Sequence, residues 1–285
     1  MSPEPATPKP PDRTRRAVIL ATVGIVVIMG LAMFYVAVVA PLRETHWAVD
    51  KYHFAFSGQP SGQLIKRLGG PERAVRRLVT YLCLPRWMGT NRRGALEALG
   101  EFGPEAKNAV SVLVKMLGDA EAGVRDRAAW VLGEIGPEAK EAVPVLEKLL
   151  QDESWGVRET TAETLGLIGH GARKALPALR EALAKCTMDT DVDEIVTIVK
   201  AIWRIGGKSV ISETELKAIS EVVVFGPSHR TTSRLRAIRA LVAMGAVARS
   251  EERALEHAAR KDQSKTVRAA AADALKKIRG EEPAP

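Results

Sequence analysis

The stretch Glu101-Phe102-Gly103-Pro104-Glu105-Ala106-Lys107 returns 33 residues later as Glu134-Ile135-Gly136-Pro137-Glu138-Ala139-Lys140, and again 33 residues on as Leu167-Ile168-Gly169-His170-Gly171-Ala172-Arg173. The same displacement of 33 relates Leu99, Leu132 and Leu165, then Leu113, Leu146 and Leu179, then Leu117, Leu150 and Leu183. Gly70-Pro71-Glu72 stands 33 residues before Gly103, and weaker copies follow at Ile205-Gly206, Met244-Gly245 and Ile278-Arg279. A fixed period of this size marks a stacked-repeat architecture.

Each unit carries two helical patterns. Val124, Ala128, Leu132 and Ile135 lie on one face of a 3.6-residue helix. Gly136 supplies a permissive C-terminal residue, and Pro137 restarts the chain at a helix N-terminus. Ala139, Ala142, Val143, Leu146, Leu149 and Leu150 then line a second apolar face. The one β-like run, Glu221-Val222-Val223-Val224-Phe225, is short and sits inside a weak repeat. A single helix pair cannot bury its apolar face, whereas stacked neighbours form one continuous core. The composition agrees: 5% of residues are aromatic and 46% hydrophobic, which favours helix over sheet and excludes a disordered chain. The expected fold is all-α, a right-handed α-solenoid of about six helical hairpins.

The string Val157-Arg158-Glu159-Thr160-Thr161-Ala162-Glu163-Thr164-Leu165-Gly166-Leu167-Ile168-Gly169 resembles the V-R-x-x-A-x-x-x-L-G-x-I-G pattern of HEAT repeats, in the HEAT-like form also found in bacterial phycobilin lyases. The resemblance extends over residues 63–280, is strongest over 91–183, and weakens beyond, where Ile195 stands at the Arg position and Arg230 at the Asp position. It implies a non-catalytic protein-binding scaffold. The alternative it implies is a bilin lyase-like enzyme or chromophore chaperone.

Three Asp residues precede an Arg by six positions: Asp119 and Arg125, Asp152 and Arg158, Asp262 and Arg268. An Asp at a helix start accepts backbone N–H groups. The following Arg can reach the Asp of its own or the adjacent repeat, giving a structural ladder; catalytic carboxylates would not recur at the repeat period. No nucleophile elbow, phosphate loop or zinc-protease motif appears, and His46, His53, His170, His229 and His257 form no ligand set, so neither metal nor cofactor is expected. Two cysteines, Cys83 and Cys186, exclude a disulfide framework. Three repeats apart, they are expected to remain free thiols.

Ahead of the repeats, Ala17 to Ala40 form an uncharged run of 24 residues. As a helix it would be roughly 36 Å long, against about 30 Å of bilayer hydrocarbon. It exceeds the apolar core of a cleaved secretory signal, and the candidate cleavage motif Val38-Val39-Ala40 runs into Pro41. A single transmembrane helix over 17–40 is expected. Lys9, Arg13, Arg15 and Arg16 before the run, against Arg43 and Lys51 just after it, place the N-terminus in the cytoplasm and the repeats on the periplasmic or extracytoplasmic side. The parsing is therefore a disordered proline-rich tail (1–16), the anchor (17–40), a juxtamembrane linker (41–62), the solenoid (63–280) and a tail (281–285). Trp47, Tyr52, Phe54 and Phe56 serve either as an interfacial aromatic belt or as the first core residues.

Net charge is +8, but it is striped: +6 over 41–118, −6 over 119–225 and +6 over 226–285. A nucleic-acid binder would carry a continuous basic surface, so no nucleic-acid partner is expected. The basic segment near 43–93 could touch anionic lipid. A protein partner would meet the outward residues of the first helices: Arg93 and Glu97, then Arg127, Trp130 and Glu134, then Glu163. Trp130 either anchors that partner or packs across to a neighbouring helix.

Overall fold

The computed structural model describes residues 70–84, 91–188, 191–227 and 230–281, together with Met29, which is helical and exposed. The expected tail 1–16, the rest of the anchor 17–40, the linker 41–62 and the last four residues lie outside the described residues. Among the described residues there is no strand, and no helix is long and apolar enough to cross a membrane.

Among the described residues from 70 on, twelve α-helices follow one another. Helix α1 spans Pro71–Leu82 and is a second helix without a described first helix. Five hairpins come next. Their first helices are α2 (Arg92–Gly100), α4 (Ala122–Ile135), α6 (Trp155–Ile168), α8 (Val192–Gly206) and α10 (Thr231–Met244). Their second helices are α3 (Val110–Met116), α5 (Val143–Leu149), α7 (Leu176–Lys185), α9 (Glu213–Phe225) and α11 (Glu252–Lys261). A last first helix, α12 (Lys265–Arg279), closes the array. The β-like run 221–225 lies inside α9, whose start is fixed by a Ser212/Glu215 capping box.

The junction inside each hairpin corrects one sequence expectation. Pro137 does not open an α-helix: Gly136–Ala142 forms a 3₁₀ turn, as do Gly103–Ala109, Gly169–Ala175 and Gly245–Glu251. The reason lies in alanine spacing. Side chains three apart eclipse on a 3₁₀ helix, and Ala106/Ala109, Ala139/Ala142 and Ala172/Ala175 are such pairs, all fully buried. Gly136 turns the chain at φ +72°, a conformation that other residues adopt only with strain.

The core forms two clusters that meet in α8. Ile198, Ala201, Ile202 and Ile205 join the cluster that starts at Ala74, whereas Val192, Ile195, Val196 and Val199 join the one that ends at Ile278. Helix α8 therefore buries two faces and reads as a nearly continuous apolar run.

First helices approach one another closely. At Gly100 in α2, an added Cβ would lie 2.2 Å from the Trp130 ring of α4. Gly100→Ala is expected to lower stability by about 1–3 kcal/mol through overpacking, seen as a fall in thermal midpoint. Gly156→Ala, whose Cβ would meet nothing nearer than the Ser154 hydroxyl at 3.9 Å, should leave the midpoint unchanged or raise it.

Candidate functional site

Two rows of polar side chains run along the array, one at the loops between repeats and one on the exposed face of the first helices. In the loop row each Arg bridges two loops. Arg125 donates from Nε and Nη2 to the Asp152 carboxylate of the next repeat, both at 2.8 Å, and from Nη1 to the Asp119 carbonyl of its own loop at 3.0 Å. Arg158 does the same with Glu194 (2.9 and 3.0 Å) and the Asp152 carbonyl (3.2 Å). The carboxylates, in turn, accept from their loops: Asp119 from the Glu121 N–H, Asp152 from the Ser154 N–H and Asp262 from the Ser264 N–H.

The six-residue Asp–Arg spacing thus reflects a bond to a backbone carbonyl, and the ion pair goes to the following repeat. Arg268 ends the row, donating only to the carbonyls of Asp262 (2.7 Å) and Gln263 (3.2 Å), with no acidic side-chain partner among the described residues. Three members were not picked out from the sequence. Arg92 pairs with Asp119 at 2.7 Å, Glu194 with Arg158, and Arg234 with Asp262 at 3.1 Å. A separation of 27 residues joins both Arg92 to Asp119 and Arg125 to Asp152, a regularity present in the sequence. Glu194 had no such signal, because the lengthened loop before α8 breaks the period. A cleft of about 230 Å³ opens at that rung, lined by Arg158, Glu194, Gln151, Lys185 and Cys186.

Electrostatics follow from the pairing. Burial alone would raise the Asp152 carboxyl, but the bonds from Arg125 and the Ser154 N–H, with the charges of Arg125 and Arg158, hold it below the usual carboxylate range. Burial, reinforced by Glu194 and Asp191, pushes the Cys186 thiol up to about 12.

On the first-helix face the structure separates the six expected partner residues. Glu97 is buried rather than solvent-facing, because Arg93 (3.3 Å) and Arg127 (3.4 Å) converge on its carboxylate. Trp130 is half-buried: it lies against Gly100, under the Arg127 guanidinium at 5.4 Å from the ring centroid. It packs across to its neighbour instead of standing free. Arg93, Glu134 and Glu163 are exposed. The freely exposed aromatics are Trp155 (68%) and Phe225 (73%), which the periodicity did not single out.

Farther along, Arg236 of α10 donates to Asp193 (2.9 Å) and Thr197 (3.0 Å) of α8 and, across that helix, to Glu159 of α6 at 3.2 Å. Helices packed about 8–10 Å apart would set α6 and α10 roughly 16–20 Å apart in a flat array. Together the long Arg236 and Glu159 side chains span the intervening helix. Among the described residues, no group of three or more His, Cys, Asp or Glu side chains is placed to hold a metal ion.

Residues 84–140 and 110–198 match the family model described as HEAT repeats. No curated relative matches the chain. Among solved structures, the chain is similar to an engineered protein at 25% identity, covering 72% of this chain and 96% of that one with a TM-score of 0.46. It is also similar to a second engineered protein (21% identity, 82% and 68% covered, TM-score 0.49). A chain from a structure of Kap95p bound to RanGDP is similar at 15% identity, with 84% and 34% covered and a TM-score of 0.44.

Two outcomes test the loop row. Asp152→Ala leaves the Arg125 guanidinium with only the exposed Glu153 carboxylate at 3.5 Å and should destabilise the repeat array by about 1–3 kcal/mol at neutral pH. Because the folded carboxyl is held below its unfolded value, the stabilisation is present above pH ~4 and fades as pH falls through the folded value, so thermal midpoints of mutant and wild type should converge in acid. In the second, alkylation at pH 8 followed by mass spectrometry should modify exposed Cys83 at least about tenfold faster than Cys186, which stays a thiol.

Proposed function

We propose that the protein is a membrane-anchored, non-catalytic scaffold whose HEAT array binds a protein partner. The observation that carries this reading is the first-helix face: a surface crossing five repeats, rigidly held from behind, on which Glu134 and Glu163 stand exposed without ion pairs among the described residues. Repeat arrays recognise partners along such extended surfaces. The uncharged run 17–40 would span the bilayer with the N-terminus in the cytoplasm and the array on the extracytoplasmic side. In that arrangement Arg73 and Arg76, exposed on α1, belong to the basic segment near the anchor and suit contact with anionic headgroups.

A promiscuous biotin ligase fused to the C-terminus tests compartment and partner together. The full chain should pellet with membranes and biotinylate extracytoplasmic neighbours, and deletion of residues 1–40 should release it and lose that enrichment. A deletion chain that still pellets, or labelling confined to cytoplasmic proteins, would refute the proposed anchor and topology.

A further inference from the structure

The N-terminal halves of the first helices have their charges engaged by neighbours: Arg127 with Glu97, and Arg236 with Glu159 and Asp193. Glu97 lies in the C-terminal half of α2, but the exposed charges nearer the C-terminal ends of the first helices are not so engaged. The core pattern, in which Leu132, Leu165, Ile202 and Leu241 are equivalent fully buried positions, aligns the helices and sorts the remaining residues into two adjoining columns. One holds Glu101, Glu134, Leu167 and Arg204; the other holds Glu97, already paired with Arg93 and Arg127, then Trp130, Glu163, Lys200 and Arg239. Glu101, Glu134, Glu163, Arg204 and Arg239 are exposed and Lys200 is half-buried. None of these six charged groups has an ion-pair partner among the described residues.

The row is thus acidic from α2 to α6 and basic from α8 to α10, with the apolar surfaces of Trp130 and half-exposed Leu167 between. Glu163 and Lys200 interact at the change of sign without forming an ion pair, and the members farther out have no ion-pair partner among the described residues. Burial raises the Glu101 carboxyl above its ordinary value. Burial and then Arg204 lower the Lys200 ammonium, with Glu163 and Glu159 opposing and Arg236 adding to the effect. In each case the charged form would gain from an opposite charge brought in from outside.

We infer that this face is a docking groove for a polypeptide segment whose charge changes sign along its length, with Lys or Arg over α2–α6 and Asp or Glu over α8–α10. The inference rests on the protein-binding reading and adds the face, the chemistry and the direction. A polyanion such as nucleic acid or a lipid surface is repelled by the acidic half, and a polycation by the basic half. With about 10 Å per repeat the row is roughly 40 Å long, the span of an extended segment of about twelve residues.

The test uses the full chain in detergent and a fluorescent peptide of that length, with a block of lysines at one end, a neutral apolar centre and a block of glutamates at the other. A peptide of the same composition with the charges alternating is the control. The block peptide should bind at least about tenfold tighter than the control at low salt, and weaken as salt rises. Glu134→Lys with Glu163→Lys, or Lys200→Glu with Arg204→Glu, should each reduce its affinity about tenfold, with helical circular dichroism unchanged. All four changes with Glu101→Lys and Arg239→Glu should restore binding in the reverse direction, so that a benzophenone on the lysine end cross-links to α8 and α10 instead of α2 and α4.

No binding, equal binding of both peptides, indifference to charge reversal, or displacement of the probe by self-association would each overturn the inference. A native partner whose cross-links fall on the second helices would remove the groove while leaving the protein-binding role intact. Probe binding by a chain that fails the membrane test would remove the anchor and leave the groove.

Discussion

Burying a guanidinium requires that nearly all its donors find acceptors, and here the acceptors come from two successive loops. Arg125 holds the carbonyl of its own loop and the carboxylate of the next one. The planar fork tolerates little change in either distance, so each rung sets the offset between repeats as well as binding them. Aliphatic packing alone would permit sliding along the shared seam; the Arg row does not. Its spacing is preserved even where the sequence period is not, because Glu194, with one more methylene than Asp, reaches Arg158 from the start of α8 after a longer loop.

The opposite side of the same helices answers a different constraint. First helices must come close enough for Gly100 to touch the Trp130 ring, and close approach brings side chains from several helices into one another's reach. Acid and base therefore pair across repeats in the N-terminal halves, up to the contact of Arg236 with Glu159 over an entire helix. Toward the C-terminal ends of these helices the charges are sorted by sign along the array and form no ion pairs among the described residues. The difference between the two halves separates a stabilising row from a surface left open to a partner.

How much of this could be read from the chain alone depends on the range of the interaction concerned. The helical hairpins, their turns at Gly103, Gly136 and Gly169, and the aliphatic core positions follow from local periodicity, and so were legible. Asp119, Arg125, Asp152 and Arg158 of the loop row were visible for the same reason, whereas Arg92, 33 residues before Arg125, was passed over because no Asp precedes it by six. Pairing partners were harder. The separation between Asp119 and Arg125 left the Asp of the same repeat and that of the adjacent one both within reach; an Arg on the first turn of its helix lies beside its own loop's carbonyl and points its fork at the next loop.

The exposed positions were the least legible. Glu97 and Trp130 fall on the outward side of their helices by angle, yet both are covered, because a neighbouring first helix supplies Arg127 to one and Gly100 to the other. Helical phase fixes which way a side chain leaves its own axis, and it is blind to what the next axis brings alongside. The sequence by itself therefore determined an all-helical repeat, its punctuation and its core. Only the tertiary structure decided which charges are consumed between repeats and which remain, because that outcome depends on the distance and tilt between helices that are 30 to 80 residues apart in the chain, as in the 77-residue separation of Glu159 and Arg236.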